Sequence, residues 1–306
     1  MYKVVSLFSG CGGLDLGFKK AGFDIIWAND FDKYSVESYK HNIGNNIICE
    51  DINNISPSDI PEHDLLLAGF PCQPFSMMGK ELGFSDHRGT LFFKILNILK
   101  YHLDNYGSPK IIVLENVKNL QTHDNGRTFK VIKGELEKLG YNINVSTLNS
   151  ANYGVPQTRN RTYIVGIKDF SGNFDFPEEV PLEKTLQDLL EKNVDKKYFL
   201  SDKILKTVMS TGTKTYYAKP EIDLPVARPL CATMAKMHRA SQDNYVTDNG
   251  KIRRLTPREC ARLQGFPDDF DIIVSDSQAY KQFGNAVTVN VSYQVANSIL
   301  DFLENK

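Results

Sequence analysis

The stretch FSGCGGLDLGF, residues 8–18, decides how the chain is read. An apolar run over Tyr2–Phe8 enters it as a strand, Gly10, Gly12 and Gly13 interrupt the run, and a helical pattern over Leu14–Ala21 leaves it. Glycines at such a junction permit a tight turn and let a ligand lie close to the backbone above the helix N-terminus, although such a turn also occurs for purely structural reasons. Asp15 stands where the dinucleotide fingerprint G-x-G-x-x-G has its third glycine, which weakens a pyrophosphate reading. Asp30 lies about 20 residues further on, at the end of the second strand, where a carboxylate bridges the two hydroxyls of a ribose. Asp51 and Ile52 end the third strand and are expected to hold an adenine. Nucleoside binding is the expectation; the cofactor stays open.

Outward from this junction the same rhythm repeats. Asp24–Asn29, Asn46–Glu50, His63–Phe70, Lys110–Glu115 and Thr162–Ile167 read as strands, and Asp32–His41, Thr90–His102 and Arg127–Leu139 as helices. Strand and helix in alternation predict an α/β fold, a doubly wound, mostly parallel sheet with sites at the carboxyl ends of its strands. After Asp169 the rhythm fails: SGNFDFPEEVPLEK, residues 171–184, reads as a linker, and the chain beyond it is turn-rich to about Asn249. A second, smaller, irregular domain is expected over 176–270. The first, 1–175, is completed by 271–306, where Gln278–Leu303 is helical again.

With 306 residues and 41 % hydrophobic content the chain has ample material for a core. Its five cysteines are scattered and never form C-x-x-C, so neither a disulfide framework nor a metal site is suggested, and a cytoplasmic location is expected. No signal peptide or membrane span is read. The net charge of −1 hides an uneven distribution: residues 224–264 carry eight Lys/Arg against three acids, a local +5, leaving −6 elsewhere. That stretch reads either as a phosphate-binding surface or as an ordinary solvated basic face.

GFPCQPFS, residues 69–76, sets Cys72 at the end of the fourth strand. A thiol at the open edge of a sheet can serve as a nucleophile, though most cysteines are small core residues. IIVLENV, residues 111–117, delivers Glu115 to the next strand end, as a proton donor or as a helix cap. In QTRNR, residues 157–161, Arg159 and Arg161 stand on one side of an extended chain, facing either an anion or solvent.

Taken in order, FSGCGGLDLGF, GFPCQPFS, ENV, QTRNR, RLTPRECARLQGFP and QFGNAVTVNV resemble the motif set of the cytosine-5 DNA methyltransferases of bacterial restriction-modification systems. The resemblance covers nearly all of 1–169 and 251–306. It implies a Rossmann-like methyltransferase that carries a methyl group from S-adenosyl-L-methionine to carbon 5 of a cytosine flipped out of double-stranded DNA. By the same resemblance Cys72 adds to carbon 6 of the base, Glu115 grips the exocyclic amino group and ring nitrogen 3, and Arg161 meets the carbonyl oxygen with Arg159 nearby. Phe8, Gly10, Gly12, Asp30, Phe31, Asp51, Ile52 and Asn285 would line the cofactor pocket, with Phe31 stacked on adenine. Phe70, Pro71, Gln73, Ser76 and Thr233 are expected on the substrate. The glycine-punctuated loop 73–90 would close over the base. A monomer is expected, paired in function with a restriction endonuclease. Methylation of RNA and a catalytically inactive nucleic-acid binder are the rival readings; Cys231-Ala232-Thr233 stands where the tRNA-directed branch of the family has Cys-Phe-Thr.

Overall fold

The computed structural model describes residues 1–71, 90–213, 216–217, 219–236 and 240–305. It divides into two compact units, Met1–Leu148 with Asn160–Glu178 and Ser292–Lys306, and Asn149–Arg159 with Glu179–Val291. The expected boundary at 175 thus falls three residues later, the expected return at 271 falls at 292, and residues 149–159 join the second unit.

The first unit is built on strands β1 (Lys3–Leu7), β2 (Asp24–Asp30), β3 (Ile47–Cys49), β4 (Leu65–Gly69), β5 (Ile111–Val117), β6 (Tyr141–Asn149) and β7 (Asn160–Lys168), with helices α1 (Gly13–Lys20), α2 (Lys33–Asn42), α3 (Thr90–Tyr106) and α4 (Arg127–Lys138). Their order in the sheet is β3-β2-β1-β4-β5-β7-β6. β1 pairs parallel with both β2 and β4, and β4 pairs parallel with β5, whereas β7 runs antiparallel to β5. The order reverses between β1 and β4, so the carboxyl ends of these strands open on the crevice where such sheets carry ligands.

The continuous apolar character of β1, β4 and β5 is explained by helices on both faces. Val5, Leu7, Leu66, Ala68, Ile112 and Leu114 alternate onto one face and pack with Phe92, Ile95 and Leu99 of α3 and Ile132 and Leu136 of α4. Ala28, Val36, Tyr39, Ile43 and Ile47 form a second apolar cluster, which joins α2 to β2 and β3. α2 starts where Asp32 accepts hydrogen bonds from the Tyr34 and Ser35 amides. The close-packing glycine that Asp15 displaces reappears two residues later: a Cβ on Gly17 would lie 2.4 Å from Ser292 Oγ, which itself donates to the Leu14 carbonyl at 2.5 Å.

β6 escaped the sequence reading because YNINVSTLN has no apolar run; it ends the sheet order, and much of it is only half-buried. Phe170, just before the expected linker, and Phe174 within it pack against Phe302, with ring centroids 4.9 and 6.2 Å away, which ties that segment to the first unit.

The second unit has short elements: α5 (Asp202–Val208), the strands β8 (Gly212–Thr213) and β9 (Tyr216–Tyr217), the hairpin β10 (Tyr245–Asp248) and β11 (Lys251–Arg254), then α6 (Pro257–Leu263) and α7 (Asp276–Asn285). The C-terminal helix α8 spans Val289–Glu304. The single helical stretch expected over 278–303 is therefore two helices, separated at residues 286–288. No described helix is long and apolar enough to cross a membrane.

Candidate active site

The carboxyl ends of β1, β2 and β3 form one half of the site. After β1 the backbone turns left-handed at Phe8 (φ 57°), Gly10 (φ 56°) and Gly12 (φ 93°). A phenylalanine rarely holds such a conformation, and strain of this kind persists only where the surroundings impose it. Here the Ser9 amide donates to the Asn29 carbonyl at 2.9 Å, and the Gly10 and Asp32 amides each donate at 2.8 Å to one oxygen of Asp30. Phe31, next in sequence, is 73 % exposed. Among the described residues, no atom outside Gly10 and its two chain neighbours lies within 4 Å of the place a Gly10 Cβ would take. An exposed aromatic face, a carboxylate beside it and an open glycine cradle suit a ligand with a flat base and a diol. Asp51 is exposed and accepts from the Asn53 amide at 2.9 Å, whereas the Ile52 side chain sits in the core.

Asp15, seen in the sequence only as a missing glycine, supports this half from below. It is wholly buried and accepts from Ser6 Oγ at 2.6 Å and from the Tyr39 hydroxyl at 2.8 Å. Loss of water raises its carboxyl from 3.8 to about 6, against the hydrogen bonds that hold it down. Between these values the folded chain keeps a proton that the unfolded chain has released, so this group's contribution to stability falls as pH rises. Buried His63, lowered from 6.5 to about 4 by the same loss of water, acts in the opposite sense over nearly the same range. The test is therefore a difference: from pH 4 to pH 7, Asp15→Asn should gain on the wild type by about 2 kcal/mol in denaturant unfolding. A pH-independent difference would mean that Asp15 holds no extra proton.

The ends of β4, β5 and β7 form the other half. β4 pairs Gly69 with Glu115, the antiparallel register sets Arg161 opposite Val117, and Glu115 and Arg161 are thus diagonal neighbours on one face. Arg161 Nε lies 3.1 Å from Glu115 Oε1, with the glutamate side chain 9 % and the arginine side chain 20 % exposed. Asn116, which sequence reasoning passed over inside ENV, is buried; its amide nitrogen donates to the Phe70 carbonyl at 2.8 Å and its oxygen accepts from the Val117 amide. It ties the strand that carries Glu115 to the residue just before Pro71.

Two expectations are corrected here. Phe70 does not offer its ring to a base: the side chain is buried, 6.1 Å from Phe92 between centroids, because β4 is covered by α3. Arg159 does not stand beside Arg161. It precedes β7, belongs to the second unit, and its guanidinium donates to the carbonyls of Leu230, Gly284 and Ala286. Pro71 is exposed. Cys72, Gln73, Ser76 and the loop 73–89 lie outside the described residues. Asn285 and exposed Thr233 belong to the second unit. Among the described residues Cys11, Cys49, Cys231 and Cys260 are free thiols, and burial pushes Cys11, within the glycine turn, up to about 12.

The family described as C-5 cytosine-specific DNA methylase matches residues 2–301. The chain belongs to that family. Relatives of this methylase include the Type II methyltransferase M.NgoBI of Neisseria gonorrhoeae, 46 % identical over 95 % of this chain and 90 % of that one. The Type II methyltransferase M.HaeII of Haemophilus aegyptius is 44 % identical over 99 % and 94 %. Among solved structures, the S. pombe Dnmt2 methyltransferase superposes with a TM-score of 0.81 at 23 % identity, and the Entamoeba histolytica methyltransferase EhMeth with 0.80 at 22 %, each over 99 % of both chains. At that identity they speak for the fold alone.

Several arginines of the methylase's basic stretch are held by partners within the chain. Arg253 is 1 % exposed and forms a bidentate pair with buried Glu259 at 2.8 Å and a third contact with Asp248. Arg262 pairs with Asp268, Arg228 with Glu221, and Arg258 donates to the Pro267 and Phe270 carbonyls. These charges staple a unit poor in regular structure, where an unpaired buried guanidinium would be costly. Of the eight, Lys236 and Lys251 are exposed, and Arg239 lies outside the described residues.

Proposed function

We propose that the methylase transfers a methyl group from S-adenosyl-L-methionine to carbon 5 of a cytosine turned out of a specific double-stranded DNA sequence. The observation that carries this reading is the Glu115–Arg161 pair at the open ends of β5 and β7, beside the end of β4 that leads to Cys72. Cys72 as thiolate adds to carbon 6 of the cytosine, so that an electron pair moves towards carbon 5. Glu115 holds ring nitrogen 3 and the exocyclic amino group, and Arg161 the carbonyl oxygen, where charge builds during the addition. The cofactor supplies an electrophilic methyl group on its sulfonium. When the proton on carbon 5 has left to a base, the electrons of that bond re-form the ring double bond and expel the Cys72 sulfur.

Asp30 would take the ribose hydroxyls, Phe31 the adenine face, and the Phe8–Gly12 turn the remainder of the cofactor, with Asp51 and Asn285 in supporting contact. The second unit would read the target sequence, with Pro71, Gln73, Ser76 and Thr233 on the substrate side. The enzyme would work as a cytoplasmic monomer, paired in function with a restriction endonuclease. Incubation with tritiated S-adenosylmethionine tests the reading: label should enter duplex DNA as 5-methylcytosine. Label in total RNA alone would turn the reading to RNA, and label in neither would leave a binder.

Charge-assisted hydrogen bonds of the Asp30 kind contribute roughly 1.5–3 kcal/mol. Asp30→Ala should therefore weaken cofactor binding by about one to two decades in titration calorimetry. It should also lower the melting temperature, because the Gly10 and Asp32 amides lose their acceptor. Equal cofactor affinity in both proteins would remove Asp30 from the pocket.

A further inference from the structure

Within the second unit, two buried side chains hold both backbone groups of one residue. The Leu230 amide donates to Gln157 Oε1 at 2.8 Å, and the Leu230 carbonyl accepts from Arg159 Nη1 at 3.1 Å. Arg159 Nη2 reaches the Gly284 carbonyl at 3.1 Å and that of Ala286 at 2.8 Å, while Gln157 Nε2 donates to the Leu263 carbonyl at 2.6 Å. Gln157 and Arg159 are 0 % and 1 % exposed. From the other side, a Cβ on Gly284 would come within 2.4 Å of the Ala232 amide nitrogen and the Cys231 carbonyl carbon. The segment that begins at Leu230 is thus gripped between residues 157–159 and the end of α7. It continues as a turn, with Met234 and Lys236 amides donating to the Cys231 and Thr233 carbonyls, and it exposes Cys231, Thr233 and Lys236.

A guanidinium is a costly way to fill a core, since its charge must leave water. Its planar fork of donors does what an apolar side chain cannot: it sets three carbonyls at fixed distances and angles. Base-edge readout needs this, because a hydrogen bond to a base is lost over a few tenths of an ångström. We propose that Arg159, with Gln157, is a specificity-determining positioning residue, which fixes the register in which the Cys231–Lys236 turn meets DNA and does not act at the reacting atoms. The inference rests on the reading of the second unit as the part that recognises sequence.

The test compares kcat/KM on a duplex carrying the wild-type target, read by bisulfite sequencing of DNA from cells that express the chain, with kcat/KM on the duplex changed at one flanking base pair. Partial unfolding lowers both values by one factor and leaves their ratio alone. Arg159→Lys, which keeps the charge and loses the fork, should reduce the ratio at least about tenfold. Gly284→Ala retains Arg159 and displaces the same segment from the opposite side; it should reduce the ratio too, and it carries the test if the first variant does not fold. A ratio that stays constant while both rates fall, or while neither does, overturns the proposal. Replacement of residues 176–249 by those of a relative separates the two ideas. If the methylated sequence does not move, the reading of the unit fails; if it moves and the ratio in Arg159→Lys is unchanged, the positioning role alone fails.

Discussion

Cys72→Ala should lower methyl transfer by about three decades or more while duplex DNA and cofactor still bind. The thiolate makes the covalent bond that activates carbon 5, and a methyl side chain in its place can neither add to carbon 6 nor be expelled. As a surface for binding it is small, so the rate and the affinities should separate. The neighbouring residues agree with such a role. Gly69 is paired with Glu115, and the Phe70 carbonyl is held by Asn116, so the chain up to Pro71 is fixed against the strand that carries the glutamate. An oligonucleotide with 5-fluorocytosine at the target supplies the complementary experiment. With fluorine on carbon 5 the proton that permits release is missing, and wild-type enzyme should stay linked to DNA in a cofactor-dependent band. Turnover by the alanine variant near the wild-type rate, or absence of that band, would exclude Cys72 as the nucleophile.

Glu115→Gln should reduce kcat by a factor of about 10²–10³, the size of effect seen when one preorganised group is taken from a developing charge. Glutamine keeps the shape and can still accept from Arg161 Nε, which lies 3.1 Å away in the wild type, so the loss in fold stability should be minor. What it lacks is the carboxyl that can hold or give a proton at ring nitrogen 3. Alanine is the poorer variant for this purpose, since it would leave a guanidinium only 20 % exposed without this ion-pair partner. Single-turnover rates and cofactor titrations separate the outcomes. If Glu115→Gln turns over within about threefold of wild type, the carboxyl has no part in the chemistry and the pair with Arg161 is structural.

The architecture of the first unit and one half of its site are legible in the amino-acid order alone. Buried parallel strands must be apolar along their whole length, so β1, β4 and β5 announce themselves, and the glycines after β1 mark a turn that few other residues could make. The expectations for Asp30 and Glu115 rest on a local property, since Asp30 ends β2 and Glu115 lies near the carboxyl end of β5. Whatever depends on a distant partner was settled by tertiary packing. β6 could be recognised only as the last strand of a sheet that already existed, since its alternating polar residues suit an edge and resemble a loop. Gly17 owes its place to Ser292, whose hydroxyl reaches back across 278 residues of sequence to the Leu14 carbonyl, and Asp15 owes its raised carboxyl to burial that no neighbour in sequence foretells. The arginines are the clearest case. Arg159 and Arg161 look alike in QTRNR, yet Arg161 meets a carboxylate on the neighbouring strand β5 and Arg159 three carbonyls contributed from residues 230, 284 and 286. A side chain's charge is written in the sequence, whereas what satisfies that charge is set by which segments the fold brings within about 3 Å of it.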